Sequence, residues 1–367
     1  MKSLGNIAAR NPSAIKLSRA SLAFIRRGRR FRCFRLVSTF LKTAAFPVMY
    51  ILLLALLPIV AVVVYFRSRE RNVIDNTTDK YVFITGCDTG FGKLLAKRLD
   101  TRGFHVIAAC FTEEGQNAIK AETSQRLKTV SLDVTNNESV KRAAEAVQEI
   151  VGDTGLWGLV NNAGVCLPVG PMDWLTIEDF RPCMEVNAMG LVAVTLACLP
   201  MLKRGRGRVV NIASVMGRLA LGGGSYSLSK FCVEAFSDIL RRDVRVFGIK
   251  VIIIEPGFFK TNLTDEKKFN KSLRDIWATL PKDTRHQYGE DFIEKVTDAN
   301  TKNLGKLLDT DISKVPIAVE RALTSALPFT RYSVGWDATL FWLPLSYAPT
   351  VVIDYLLTRE YIKPANV

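Results

Sequence analysis

Three side chains in one stretch have types and spacing suited to moving a proton. Ser214 stands in Ala213-Ser214-Val215-Met216-Gly217, Tyr226 follows twelve residues later, and Lys230 comes four after that. Residues four apart on a helix share a face, so the Lys230 ammonium is expected beneath the Tyr226 phenol. An unperturbed phenol titrates near pH 10 and is a poor base at neutrality, but a neighbouring cation favours the phenolate. The Ser214 hydroxyl is then available to hydrogen-bond a substrate oxygen. The same Tyr/Lys spacing also suits a plain surface helix, so the surrounding elements must decide.

Those elements alternate. Residues 81–85 read as a buried strand, 93–102 as a helix and 105–110 as a second strand. Further strands are expected at 127–131, 156–160, 208–213 and 250–255, with helices at 137–151, 177–202 and 226–247. This order predicts an α/β fold with a Rossmann-type doubly wound parallel sheet, which binds dinucleotides at the carboxyl ends of its strands. Between the first strand and helix lies Gly86-Cys87-Asp88-Thr89-Gly90-Phe91-Gly92. Gly86, Gly90 and Gly92 permit a tight turn and close approach of a pyrophosphate to the helix N-terminus. Asp88 and Phe91 of the same turn join them as cofactor-binding candidates. Asp133 ends the third strand, where a carboxylate meets an adenine amino group. Asn161-Asn162-Ala163-Gly164 ends the fourth, with Asn161, Ala163 and Gly164 expected on the adenosine side. Pro256 and Gly257 end the sixth, and Thr261 is within reach of a nicotinamide carboxamide or the phosphates. The second strand ends Ala109-Cys110-Phe111-Thr112 without Lys or Arg, which favours NAD over NADP.

The net charge of +15 is uneven. Residues 1–69 hold 13 of the 50 Lys/Arg and no acid, leaving 37 basic against 35 acidic residues in the rest. The catalytic region is therefore near neutral, and no nucleic-acid partner is expected. The seven cysteines are scattered without CxxC spacing, and His105 and His286 are the only histidines, so neither a metal site nor a Ser-His-Asp hydrolase is expected. His105, within a strand, is read as structural.

From Thr43 to Phe66, 24 residues carry no formal charge. A span needs about 20 apolar residues, and the stretch is longer than a signal h-region, so it reads as an N-terminal membrane anchor. Eleven Lys/Arg precede it, including Arg26-Arg27-Gly28-Arg29-Arg30, and Arg67, Arg69 and Arg71 follow. The count favours a cytosolic N-terminus and a lumenal main domain. The acid-free basic segment also fits a mitochondrial targeting peptide.

With these motifs in order, residues 80–260 resemble the short-chain dehydrogenase/reductase family: Thr85-Gly86-x-x-x-Gly90-x-Gly92, Asn161-Asn162-Ala163-Gly164, Asn187, Ser214, Tyr226-x-x-x-Lys230 and Pro256-Gly257. The resemblance implies that Tyr226 is the acid/base, that Lys230 lowers its pKa and holds the nicotinamide ribose, and that Ser214 binds the reacting oxygen. It further implies that Asn187 holds a water linking Lys230 to solvent. Leu156-Trp157-Gly158-Leu159-Val160, Gly335-Trp336-Asp337-Ala338 and Pro344-Leu345-Ser346-Tyr347 look like the membrane-bound retinol dehydrogenase and hydroxysteroid dehydrogenase group. Two features depart from it: Ala213 stands where a second serine is common, and the N-terminal extension is long. The family places a helical substrate lid where residues 263–311 lie.

The expected organisation is a basic extension at 1–42, a transmembrane helix at 43–66, a linker at 67–79, a catalytic domain at 80–330 and an apolar membrane-associated segment at 331–367. The expected activity is NAD-dependent interconversion of a lipophilic alcohol, retinol or hydroxysteroid, and its carbonyl, in the endoplasmic reticulum membrane. Membrane lipid is an expected partner and a homodimer is left open. The alternatives are a mitochondrial 3-hydroxy acid dehydrogenase and a non-catalytic membrane scaffold of the same fold.

Overall fold

The computed structural model describes Tyr50, Leu54 and residues 56–58, 60–68, 72–74, 76–222 and 224–366, with the side chains of 303, 304 and 306 outside the description. The chain divides into two units, Met1–Arg69 and Glu70–Val367. In the first, Leu56–Ser68 forms an apolar helix, and its described side chains are exposed. The basic extension and residues 43–49, 51–53, 55 and 59 of the expected span lie outside the described residues, as do 69–71 and 75 of the linker.

The second unit is built on a parallel sheet of seven strands: β1 (Tyr81–Ile84), β2 (His105–Cys110), β3 (Lys128–Ser131), β4 (Gly158–Asn161), β5 (Arg208–Ile212), β6 (Lys250–Pro256) and β7 (Arg331–Val334). Their order is β3-β2-β1-β4-β5-β6-β7, so the chain reverses direction across the sheet between β1 and β4. Crevices at such switch points take ligands. Helices α1 (Gly90–Thr101), α2 (Glu113–Ala121) and α3 (Asn137–Val151) follow the first three strands. Helices α4 (Ile177–Met184) and α5 (Leu191–Gly205) are joined by a π-helical turn, Glu185–Gly190, and α6 is Ser225–Asp243.

Alternation along the strands divides the core in two. Val82, Ile84, Val106 and Ile252 meet Leu95 and Leu99 of α1 and Val319 and Leu323 of α10 (Lys314–Thr324). Phe83, Ile107, Leu159 and Val251 meet Val147 of α3, Val194 of α5 and Leu240 of α6. Both faces are covered, which explains why β1, β2, β4 and β6 are mostly apolar. The stretch Ile177–Gly205 is long and apolar enough to cross a membrane, yet half of it is buried inside this domain, and we read it as a core helix. His105 stacks on Tyr81 where β2 and β1 begin, ring centroids 4.8 Å apart.

After β6 come α7 (Glu266–Thr279), α8 (Lys282–Tyr288) and α9 (Phe292–Leu307), where the lid was expected. Trp174, Leu273, Trp277, Phe292 and Ile293 form their own apolar cluster. The expected domain boundary at residue 330 falls just before β7, which pairs with β6 through Ile253–Arg331 and Pro256–Val334. The sheet therefore takes four residues from the expected C-terminal segment. Beyond it lie apolar helical pieces, Ala338–Leu345 and Thr350–Thr358, bent by 120°, with Leu340, Val351 and Tyr355 exposed.

Candidate active site

A cavity of about 880 Å³ runs along the carboxyl ends of the strands and under α7 and α9. Its dinucleotide side is shaped by the turn after β1. Gly86 (φ +70°) and Gly90 (φ +60°) adopt left-handed backbone conformations, which only glycine takes without strain. A Cβ on Gly86 would lie 2.8 Å from Ala163 Cα, so the turn closes against the end of β4. Thr85 Oγ1 accepts from the Asn162 and Ala163 amides, 3.0 Å each, and Asn162 Nδ2 donates to the Thr85 and Gly86 carbonyls at 2.9 and 3.0 Å. Helix α1 begins without a side-chain cap on Thr89 or an acid in its first turn. Its leading amides are thus free of internal competition for an anion. The bare backbone at Gly90, with nothing within 4 Å of a Cβ there, and this uncapped terminus fit a pyrophosphate.

Of the predicted cofactor residues, Gly86, Asp88, Gly90, Phe91, Asp133, Ala163, Gly164, Pro256, Gly257 and Thr261 line the cavity, as do Tyr226 and Lys230. Gly92 and Asn161 do not. Gly92 supplies closeness instead: a Cβ there would lie 2.2 Å from the Gly86 carbonyl oxygen. Asn161 points into the protein, where its Nδ2 donates to Thr195 Oγ1 and Asn211 Oδ1, both at 2.8 Å. Asn211 Nδ2 continues to Ser237 Oγ at 2.8 Å. As the last residue of β4, Asn161 follows the strand's alternation inward, and Asn162 takes the expected place in the cavity wall.

Asp88 reaches across to the end of β2. Its carboxylate accepts from the Phe111 and Thr112 amides and from Thr112 Oγ1, each at 2.9 Å. The acid missing from the second strand's own end is therefore supplied by the Gly-rich turn.

At the chemical end, Ser214, Tyr226 and Lys230 converge. Ser214 closes β5 and caps the turn Val215–Gly217, its Oγ accepting from Met216 N at 3.1 Å. Tyr226 and Lys230 lie in the first two turns of α6. Lys230 Nζ donates to the Ile212 carbonyl at 2.7 Å and lies 5.7 Å from the Tyr226 ring centroid. The expected lowering of the tyrosine pKa does not emerge from the protein's own residues. Burial raises Tyr226, and a hydrogen bond with Ser214 opposes this. Burial also draws Lys230 down to about 8. In this apolar setting each charge is unfavourable alone, and the ammonium and phenolate are favoured together.

Asn187 sits in the π-helical turn and is buried. Its Oδ1 accepts from Val165 N at 2.8 Å, while Nδ2 donates to Val165 O at 2.8 Å and Ser229 Oγ at 2.9 Å. Its side chain thus ties the segment after β4 to α6 beside Lys230. Spacing in sequence gives no signal for one further residue. Asp337, eighty positions beyond Gly257, accepts from Phe258 N at 2.9 Å, and a Cβ on Gly257 would lie 2.2 Å from it. It holds the loop after β6.

A doubly wound sheet with this turn and a Tyr–Lys pair at the switch-point cavity defines a dinucleotide-dependent oxidoreductase. The model of the family described as short chain dehydrogenase matches residues 80–272. Dehydrogenase/reductase SDR family member 9 from Bos taurus is 52% identical over 301 residues, covering 82% of this chain and 94% of its own. Retinol dehydrogenase 16 from Homo sapiens is 50% identical over 298 residues, covering 81% and 94%. 17-beta-hydroxysteroid dehydrogenase type 6 from Homo sapiens is 48% identical over 298 residues, with the same coverage. A short-chain dehydrogenase structure from Streptomyces avermitilis superposes with a TM-score of 0.60 at 29% identity, covering 76% of this chain and 95% of that one. The chain belongs to the short-chain dehydrogenase family. It is an oxidoreductase that uses NAD or NADP.

Proposed function

We propose that this enzyme interconverts a lipophilic primary or secondary alcohol, of the retinol or hydroxysteroid class, and its carbonyl with NAD. The observation that carries the reading is the meeting of Ser214, Tyr226 and Lys230 with a hydrocarbon-lined chamber. Val169, Met216, Leu221, Phe269 and Leu273 form part of its wall. Relatives named for retinol and for 17-beta-hydroxysteroid support the substrate class. The bound dinucleotide supplies hydride transfer at its nicotinamide ring. The remaining work belongs to the chain. Ser214 orients the substrate oxygen, Tyr226 takes its proton during oxidation and returns it during reduction, and Lys230 holds the charge balance beneath the phenol. NAD is preferred on two grounds: Asp88 puts a carboxylate at the end of β2, and Lys230 is the one cation among the described residues lining the cavity. A carboxylate there repels a 2′-phosphate, and no second cation among the described lining residues is present to pair with one.

The reading places the enzyme in the endoplasmic reticulum membrane, anchored by residues 43–66 with the catalytic domain lumenal. The charge bias before the anchor supports this. The exposed apolar pieces after β7 rest on the same bilayer and put the lipophilic substrate near the cavity. Membranes carrying the protein, assayed with NAD and with retinols and 3α- or 17β-hydroxysteroids, test the assignment. Tyr226→Phe should lose about 10²–10⁴-fold in kcat while NAD still binds. Undiminished oxidation by that variant would refute the proton assignment.

A further inference from the structure

A buried ion network beside the active site has no part in the chemistry above. Glu255, near the end of β6 and 2% exposed, accepts from Arg218 Nη1 and from Arg331 Nη1, both at 3.0 Å. Arg331 also pairs with Glu234 and lies 3.2 Å from Asp238. Glu234 is one helical turn beyond Lys230 and packs on the Gly217 side of the serine turn. Arg218 closes that turn: its amide donates to Val215 O at 3.0 Å and that of Gly217 to Ser214 O at 2.9 Å.

The network ends at the surface. Arg218 Nη2 meets Tyr347 Oη at 2.6 Å, and the guanidinium lies 5.5 Å from the Tyr347 ring centroid. Tyr347 falls in the bend between the two apolar helical pieces and is 77% exposed. The same segment also touches the cavity wall at Phe258, where the Trp342 and Phe258 rings lie 5.7 Å apart.

We propose that Tyr347 is a positioning residue that acts through Arg218 on the Ser214 turn, so that seating the C-terminal apolar segment on a lipid bilayer sets the geometry of the catalytic serine. A lipid surface is the occupant the chain itself argues for. An uncharged stretch and an apolar helix precede the domain, and the bent pair exposes Leu340, Val351 and Tyr355 beside the residue that reaches the network. A hydroxyl–guanidinium bond held at 2.6 Å fixes Arg218 only while the segment keeps its place. Two anchors, Glu255 below and Tyr347 outside, leave the guanidinium little freedom, and a turn of five residues transmits its position to Ser214.

This inference rests on the function proposed above, in the bilayer seat and in the role of Ser214. Its test compares the full-length enzyme dispersed in detergent with the same enzyme in phosphatidylcholine vesicles. A water-soluble secondary alcohol at saturation keeps substrate partitioning out of kcat, and fluorescence quenching gives the Kd for NAD. Wild type should gain about tenfold in kcat in vesicles, the lower end of the scale of one hydrogen bond to a charged group. Tyr347→Phe, which keeps the ring and removes the hydroxyl, should lose that gain with the Kd for NAD unchanged. Arg218→Lys should match it, and the double variant should lose nothing further. A wild-type kcat equal in both settings, or a Tyr347→Phe enzyme that keeps the full gain, overturns the proposal while leaving the function intact. A gain that follows protein concentration rather than lipid would assign the surface to a second copy and overturn it as well. Wild type that binds NAD yet turns over no alcohol in either setting would instead refute the function, and this inference with it.

Discussion

Replacing Lys230 by Met should make the protein more stable and inactive. The lysine is buried, and burial draws its pKa from 10.5 to about 8. Holding that ammonium in the fold at pH 7 costs about 3 kcal/mol relative to the unfolded chain. Methionine fills similar space without charge. It also abandons the Ile212 carbonyl, which accepts from Nζ at 2.7 Å, at a cost of about 1 kcal/mol. The net gain at pH 7 is about 2 kcal/mol. Its sign follows from proton binding. The unfolded lysine holds its proton up to about 10.5 and the folded one only to about 8, so wild-type stability rises with pH between those values. The advantage of Lys230→Met is therefore full below pH 8 and disappears by pH 10.5. Urea unfolding of both proteins in detergent without nucleotide, followed by tryptophan fluorescence at pH 7, 8.5 and 10, measures it. A Met variant less stable at pH 7, or a difference constant with pH, would refute the reasoning.

Two smaller perturbations address the nucleotide side. Gly92→Ala puts a methyl group 2.2 Å from the Gly86 carbonyl and 2.5 Å from Asn162 Nδ2; binding titrations should show at least about tenfold weaker NAD affinity, with about 1–3 kcal/mol lost from the fold. Asp88→Ala removes the acceptor of three hydrogen bonds at the end of β2, and the NAD-to-NADP ratio of kcat/KM should fall about tenfold, the value of one such charged bond.

Much of the site is visible in the sequence because its parts are local. Tyr226 and Lys230 are placed by helix periodicity alone, and the turn from Gly86 to Gly92 by the glycine conformations a strand-to-helix connection demands. What spacing does not reveal is direction. Asn161 and Asn162 are adjacent and chemically identical, and only strand alternation sends the first inward and the second to the cavity. Distance hides the rest. Asp88 answers a demand at the end of β2, and Asp337 holds a loop eighty residues upstream, through contacts that exist only once the sheet has assembled. Strand β7 is four residues long and runs into an apolar segment, so its pairing with β6 decides its state more than its own composition.

The inward turn of Asn161 has a consequence for how the catalytic helix is registered. Hydrocarbon packing between a sheet and a helix tolerates sliding, since one row of Leu and Val resembles the next. Here the amide of Asn161 reaches Thr195 on α5, and through Asn211 it reaches Ser237 on α6. A slip of one helical turn, about 5.4 Å, would break the Asn161–Thr195 and Asn211–Ser237 bonds and leave buried amide hydrogens without those acceptors. The chain of amides and hydroxyls thus works as an indexing pin. It leaves α6 one permitted setting, the one that brings Tyr226 and Lys230 level with Ser214.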